Sequence, residues 1–177
     1  MYNQKQKKFI LDNDKAIQTL LYVLQKVQNL YNIMKVIYFA DKEHLSKYGR
    51  LIYGETYIAM PKGQVPSRVY DMIKFVRGDG TVSFDNNIKS VFSVEGNEKI
   101  IANRKPILEY LSESDKEALD KAIENYGKEH HIKLFRKSHK DSAYNQTELN
   151  HEITLDKIIN SLDNKEKIKN YLENIYH

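Results

Sequence analysis

The chain has 177 residues, enough to bury a sizeable core as one domain with an appended helical tail. Its 41% hydrophobic and 11% aromatic content (13 Tyr, 6 Phe, no Trp), with 7 Gly and 3 Pro, excludes a low-complexity chain, and the net charge of +4 is modest. The lack of cysteine removes disulfides, thiol nucleophiles and Cys-zinc sites together and fits a reducing cytoplasm; no apolar run approaches the roughly 18–20 residues of a membrane span, and the polar stretch 1–8 gives no signal peptide.

In chain order, Asp12 and Asn13 can cap a helix whose Ile17, Leu20, Leu21, Leu24 and Val27 form one apolar stripe. The pattern restarts after Asn29. Ile33, Met34, Val36, Ile37, Tyr38, Phe39 and Ala40 are apolar nearly all round, which predicts a buried central helix. It turns amphipathic through Asp41-Lys42-Glu43-His44 and is expected to end near Tyr48, with Gly49 just beyond. Residues 56–60 read as a short strand. Pro61, Lys62 and Gly63 turn the chain, and Pro66-Ser67 open a helix with Val69, Ile73 and Val76 inward, stopped by Gly78-Asp79-Gly80. Val82 with Phe84, then Phe92 with Val94, alternate around Asp85-Asn86-Asn87, a hairpin pattern to which 99–102 adds a third strand. Ser114 and Glu117 form a capping-box pattern for a helix carrying Leu119, Ile123 and Tyr126 and stopped by Gly127. Residues 130–144 are basic and partly helical. Two amphipathic helices follow, one with Leu155, Ile158, Ile159 and Leu162, the other with Ile168, Tyr171, Leu172 and Ile175. The fold expected is α+β and predominantly α-helical: a compact helical domain with a small antiparallel sheet, built from a hairpin near 81–102 and a short strand near 56–60. The weakest seam, 142–152, divides a main domain, 1–144, from C-terminal helices, 145–177, packed on or extending it.

Catalytic patterns are absent. His130 and His131 are adjacent and point about 100° apart on a helix, so they do not share a metal, and no His-Glu-x-x-His or Cys/His pattern occurs. His44 reads as a hydrogen-bonded structural histidine. Ser67, Ser112 and Ser114 sit in capping or turn contexts without a Gly-x-Ser-x-Gly elbow. Gly78-Asp79-Gly80 leads to a strand, not to a phosphate-binding helix start. Arg136 and His139 are too close for the Arg–His spacing of helical ribonucleases. Asp115 and Glu117 belong to a helix start, where the dipole favours negative charge. No enzyme, metal or cofactor is expected. Lys128, Lys133, Arg136, Lys137 and Lys140 against Glu129 match the whole excess of +4. That stretch reads as a solvated helix face or a nucleic-acid patch; the well-mixed 28 basic and 24 acidic residues, without a groove-reading helix-turn-helix, make nucleic acid the weaker reading.

Several ordered motifs carry a resemblance. They are Val36-Ile37-Tyr38-Phe39-Ala40-Asp41, His44-Leu45 and Lys47-Tyr48-Gly49-Arg50, then Tyr53-Gly54-Glu55-Thr56-Tyr57-Ile58-Ala59-Met60. Next come Gly63-Gln64-Val65-Pro66-Ser67, Val69-Tyr70-Asp71 and Leu111-Ser112-Glu113-Ser114-Asp115. Ala118-Leu119-Asp120, Tyr126-Gly127 and Ser138-His139-Lys140-Asp141-Ser142-Ala143-Tyr144 complete the set. Together, over about residues 13–144, they resemble the Panacea domain of SocA-like antitoxins, once labelled phage-associated proteins. The resemblance implies a mostly helical domain with a minor sheet, no enzymatic activity, no cofactor, and direct binding to a cognate protein toxin encoded nearby, on a chromosome or a prophage. One member of the family instead acts as an adaptor that delivers its toxin to a cytoplasmic protease. Asp41, His44, Gly49, Gly54, Gly63, Val65, Pro66 and Ser67 are the motif positions expected to be structural. Tyr48, Tyr53, Tyr57, Arg68 and Tyr70 around the strand-turn-helix, with His139 nearby, are the partner-binding candidates, since tyrosines anchor interfaces. Tyr38, Phe39 and Val69 read as core. Two positions depart from the family pattern: Gln64 stands where Pro is common, and Tyr144 where Trp is common. No DNA-binding module is fused to either end, so direct transcriptional autoregulation is not expected. The helices past Glu148 lie outside the resemblance and are a partner-specific part or a lid on the core.

Overall fold

A computed structural model describes residues 9–175; the polar stretch 1–8 lies outside them. The fold is α+β and predominantly helical. Helix α1 (Asn13–Leu24) starts at Asp12, whose carboxylate accepts the Lys15 N–H at 2.9 Å. Helix α2 (Leu30–Tyr48) is capped by Asn29, which accepts the N–H groups of Tyr31 and Asn32, and it ends at Gly49, whose N–H returns to the Leu45 carbonyl. Its apolar run is buried apart from the half-buried Phe39, and α1, α5 (Glu113–Tyr126), α6 (His131–His139), α8 (Leu155–Asn160) and α9 (Lys165–Ile175) pack about it.

Strand β1 (Tyr57–Met60) is the centre of a three-stranded antiparallel sheet. On one side it pairs with β2 (Gly63–Pro66), with Tyr57 opposite Pro66 and Met60 opposite Gly63. On the other it pairs with β5 (Glu152–Ile153), with Tyr57 opposite Ile153. Helix α3 (Ser67–Arg77) leaves β2 directly. The short α4 (Ile88–Val91) runs into a hairpin of β3 (Phe92–Glu95) and β4 (Lys99–Ala102), and α7 (Ser142–Asn145) follows α6. Ile153, Ile158, Ile159, Leu162, Ile168 and Leu172 lie in the same buried cluster as the apolar residues of α2.

Three local expectations are corrected. The hairpin turns at Gly96, not at Asp85-Asn86-Asn87. There the Asp85 carboxylate accepts the Asn87 N–H and leads the chain into α4, while Val82 and Phe84 lie outside any strand. Their alternation comes from loop packing: the Phe84 ring lies 5.7 Å from Phe75 and carries the Arg68 guanidinium at 4.5 Å. Residues 63–66 are a strand, not merely turn and helix start. The capping box of α5 is Ser112 with Asp115, not Ser114 with Glu117. Ser112 Oγ accepts the Asp115 N–H, and Asp115 Oδ2 accepts the Ser112 N–H at 2.9 Å. Asp115 wins that position because it is buried beside Lys15 and Arg50, whereas Glu117 stays exposed and takes Lys47 at 3.0 Å.

Candidate functional site

The motif residues meet inside the molecule as a buried polar frame. Helix α3 begins at Pro66, which has no side chain to cap it. Glu55 supplies the missing acceptor from the preceding loop. Its Oε1 takes the N–H groups of Thr56 (2.8 Å) and Arg68 (3.0 Å), and its Oε2 takes the Val69 N–H (3.2 Å) and the Tyr53 hydroxyl (2.8 Å). Burial pushes the Glu55 carboxyl above its ordinary range. Asp41, on α2, accepts the Ile52 N–H at 2.7 Å and the Tyr57 hydroxyl at 2.6 Å, and burial raises it to about 7. Tyr53 and Tyr57 are only 2% and 1% exposed, so these two partner-binding candidates give their hydroxyls to internal carboxylates.

A second part of the frame ties the β1–β2 turn to α6. Lys35, on α2, is 1% exposed and donates to the Gln64 carbonyl at 2.6 Å. Burial lowers it to about 7. Gln64 donates through Nε2 to the Ser138 carbonyl at 3.0 Å and accepts the Ser138 hydroxyl at 2.5 Å. Gly63 lies directly over this crossing at φ 108°, where a Cβ would run into Ser138 Oγ and stand 2.8 Å from Lys35 Nζ. Asp141, which caps α7, also receives the Tyr38 hydroxyl at 3.0 Å and Lys42 at 2.6 Å. Gln64 therefore supplies side-chain bonds that a proline at this position would lack.

A third part surrounds Asp115. Lys15 (2.7 Å), Arg50 (3.1 Å) and His44 (3.3 Å) face its oxygens. Burial pushes this carboxyl up, but the Lys15 and Ser112 bonds outweigh it and hold it below its ordinary range. His44 donates from Nδ1 to the Arg50 carbonyl at 2.9 Å, and its Nε2 meets the Ser114 hydroxyl at 3.0 Å. Burial lowers its pKa, which favours the neutral ring. The remaining motif positions Gly49, Gly54, Val65 and Pro66 are buried, and Ser67 is half-buried.

The outward-facing candidates do not form one patch. Tyr48, 40% exposed, donates to Glu117 at 3.2 Å. Arg68 donates to Asn13 at 2.6 Å beneath Phe84, and Tyr70 lies under the Lys74 ammonium at 4.8 Å. His139 sits apart, over the β1–β2 turn, with Nε2 3.1 Å from the Pro61 carbonyl, Nδ1 2.9 Å from the Phe135 carbonyl and its ring stacked on Phe135 at 3.7 Å. Tyr144 closes this corner by donating to the Met60 carbonyl at 2.8 Å. Sequence reasoning missed Lys35, Gln64, Glu55 and Ser138 as parts of the frame. Lys35 had a visible signal, a lone cation inside an apolar run. Among the described residues no group of three or more His, Asp or Glu side chains is placed to hold a metal, and no helix is long and apolar enough to cross a membrane.

Fold and frame together define a small helical domain whose signature residues face one another inside the structure. The family described as Antitoxin SocA-like, Panacea domain matches residues 33–145, which run from the first turn of α2 to the end of α7, and the chain belongs to that family. No curated protein and no solved structure matches it.

Proposed function

We propose that the chain is the antitoxin of a toxin–antitoxin pair, which neutralises a cognate protein toxin encoded nearby by direct binding, in the cytoplasm and without catalysis or cofactor. Membership of the antitoxin family supports this reading. The observation that carries it further is the use made of the polar signature residues. Asp41, Glu55, Asp115 and Asp141 are bonded to backbone N–H groups, tyrosines or cations of the same chain, the arrangement of a scaffold that shapes a surface. Co-expression tests it. The product of the adjacent open reading frame, induced alone, should arrest growth, and induction of this chain should restore it. A neighbour that is harmless alone, or an arrest that this chain does not relieve, would remove the proposal.

A further inference from the structure

Most of the basic stretch that accounts for the net charge lies on α6, with exposed apolar side chains along one flank of it. Leu134 and Ser138 of that helix are fully buried, whereas Ile132, Lys133, Phe135, Arg136 and Lys140 remain on the surface. Spacings of three and four residues put those five on adjoining ridges of one face, opposite the buried pair. Ile132 is 49% and Phe135 41% exposed. Glu129, the acid of this stretch, is already paired with Lys137 at 2.8 Å. Lys133, Arg136 and Lys140 have no ion pair among the described residues.

The face is also held in place. Ser138, on the inner side of α6, is locked to Gln64 by two buried hydrogen bonds, and the His139 ring stacked on Phe135 is fixed over the Pro61 carbonyl. A surface ordered in advance loses little freedom on binding, so more of the contact energy appears as affinity. The exposed Phe135 and Ile132, with unpaired cations along one flank, are complementary to an apolar socket that carries carboxylates on the matching side. A nucleic-acid backbone is the poorer complement, because Ile132 and Phe135 beside the cations would be set against phosphates and lose hydration without gaining a contact.

We propose that this face of α6 is where the toxin docks, and that the toxin meets it with an apolar socket for Phe135 and Ile132 and with Asp and Glu side chains on the flank facing Arg136, Lys140 and Lys133. The inference rests on the antitoxin reading above.

The test is a calorimetric titration of the full chain against the purified product of the adjacent gene. The variants are Phe135→Ala, the pair Lys133→Glu with Arg136→Glu, and a control pair, Lys26→Glu with Lys167→Glu. Lys26 and Lys167 are exposed and unpaired among the described residues, and their reversal changes the net charge by the same amount. Phe135→Ala should weaken binding about 30-fold. The α6 charge pair should weaken it tenfold or more, by a factor that shrinks as salt is added, and the control should stay within about twofold of wild type. All variants alter surface side chains, and a cooperative unfolding transition above the titration temperature confirms that each folds, Phe135→Ala included although it gives up the His139 stack. Wild-type binding with unchanged affinity in both α6 variants would overturn the docking surface and leave the antitoxin reading standing. Wild type that neither binds nor rescues growth would overturn both. A mixed-sequence DNA duplex retarded by wild type but not by the α6 charge pair, with toxin binding intact, would overturn the surface in favour of nucleic acid.

Discussion

Gly63→Ala puts the crossing beneath the β1–β2 turn under direct load. The backbone there has φ 108°, and an L-residue in left-handed space costs about 1–2 kcal/mol. The new methyl also collides with Ser138 Oγ and stands 2.8 Å from Lys35 Nζ and 3.1 Å from its Cε. Ser138 can rotate away only by giving up its 2.5 Å bond to Gln64, and breaking a buried bond costs about 1–3 kcal/mol. Lys35 can withdraw only by leaving the Gln64 carbonyl. The two costs together give about 2–5 kcal/mol, or roughly 5–15 °C in Tm for a domain of this size. Gly78→Ala is the matched control. Gly78 also has positive φ, 94°, but a Cβ there meets nothing within 4 Å, so only the backbone cost of about 1–2 kcal/mol applies. Urea unfolding followed by far-ultraviolet circular dichroism reads both. A Gly63→Ala loss no greater than that of Gly78→Ala would refute the buried crossing.

Glu55→Gln should destabilise by about 2 kcal/mol, because an amide nitrogen replaces an oxygen that accepts two donors, one of them at the start of α3; a change under about 0.5 kcal/mol in urea unfolding would contradict the capping role. Ser112→Ala should cost about 1 kcal/mol, while Glu117→Gln should leave the urea midpoint where it is; equal losses would mean that the capping box is misplaced. The pH dependence has two limbs. Asp41, raised to about 7, takes up a proton on folding below that pH, so its contribution grows as pH falls from 7 towards 4. Lys35, lowered to about 7, releases a proton on folding above it, so its contribution grows as pH rises from 7 towards 10. Each limb has a slope of at most about 1.4 kcal/mol per pH unit. Against wild type, Asp41→Asn should flatten the acid limb, to which the raised Glu55 carboxyl also contributes, and Lys35→Met should lose the alkaline one; parallel profiles at about pH 5, 7 and 9 would refute the assignment.

Much of the helical frame was legible because its signals are local. The all-round apolar run of α2, its Asn29 cap and its Gly49 stop lie within one continuous stretch. Strands β2 and β5 were not legible: one holds Gly63, Val65 and Pro66, which also read as turn and helix start, and the other is two residues long. Both exist because β1 lies between them, a pairing that no local pattern encodes. The overlapping Ser112/Asp115 and Ser114/Glu117 patterns could be separated only by tertiary charge, since the cations at Asp115 come from α1 and from the loop after α2. Tyr53 and Tyr57 looked like interface anchors by residue type, but each had a carboxylate waiting in the core. Glu55 was hidden for the converse reason: the helix it caps begins more than ten residues further along the chain.

The central claim is neutralisation by direct contact between two proteins. It is tested most directly by mixing this chain, purified, with the purified product of its neighbouring gene and reading the complex by calorimetry and size exclusion. The account predicts saturable binding, with one co-migrating species and no other component required. Growth rescue in cells together with no complex between the purified proteins would contradict it.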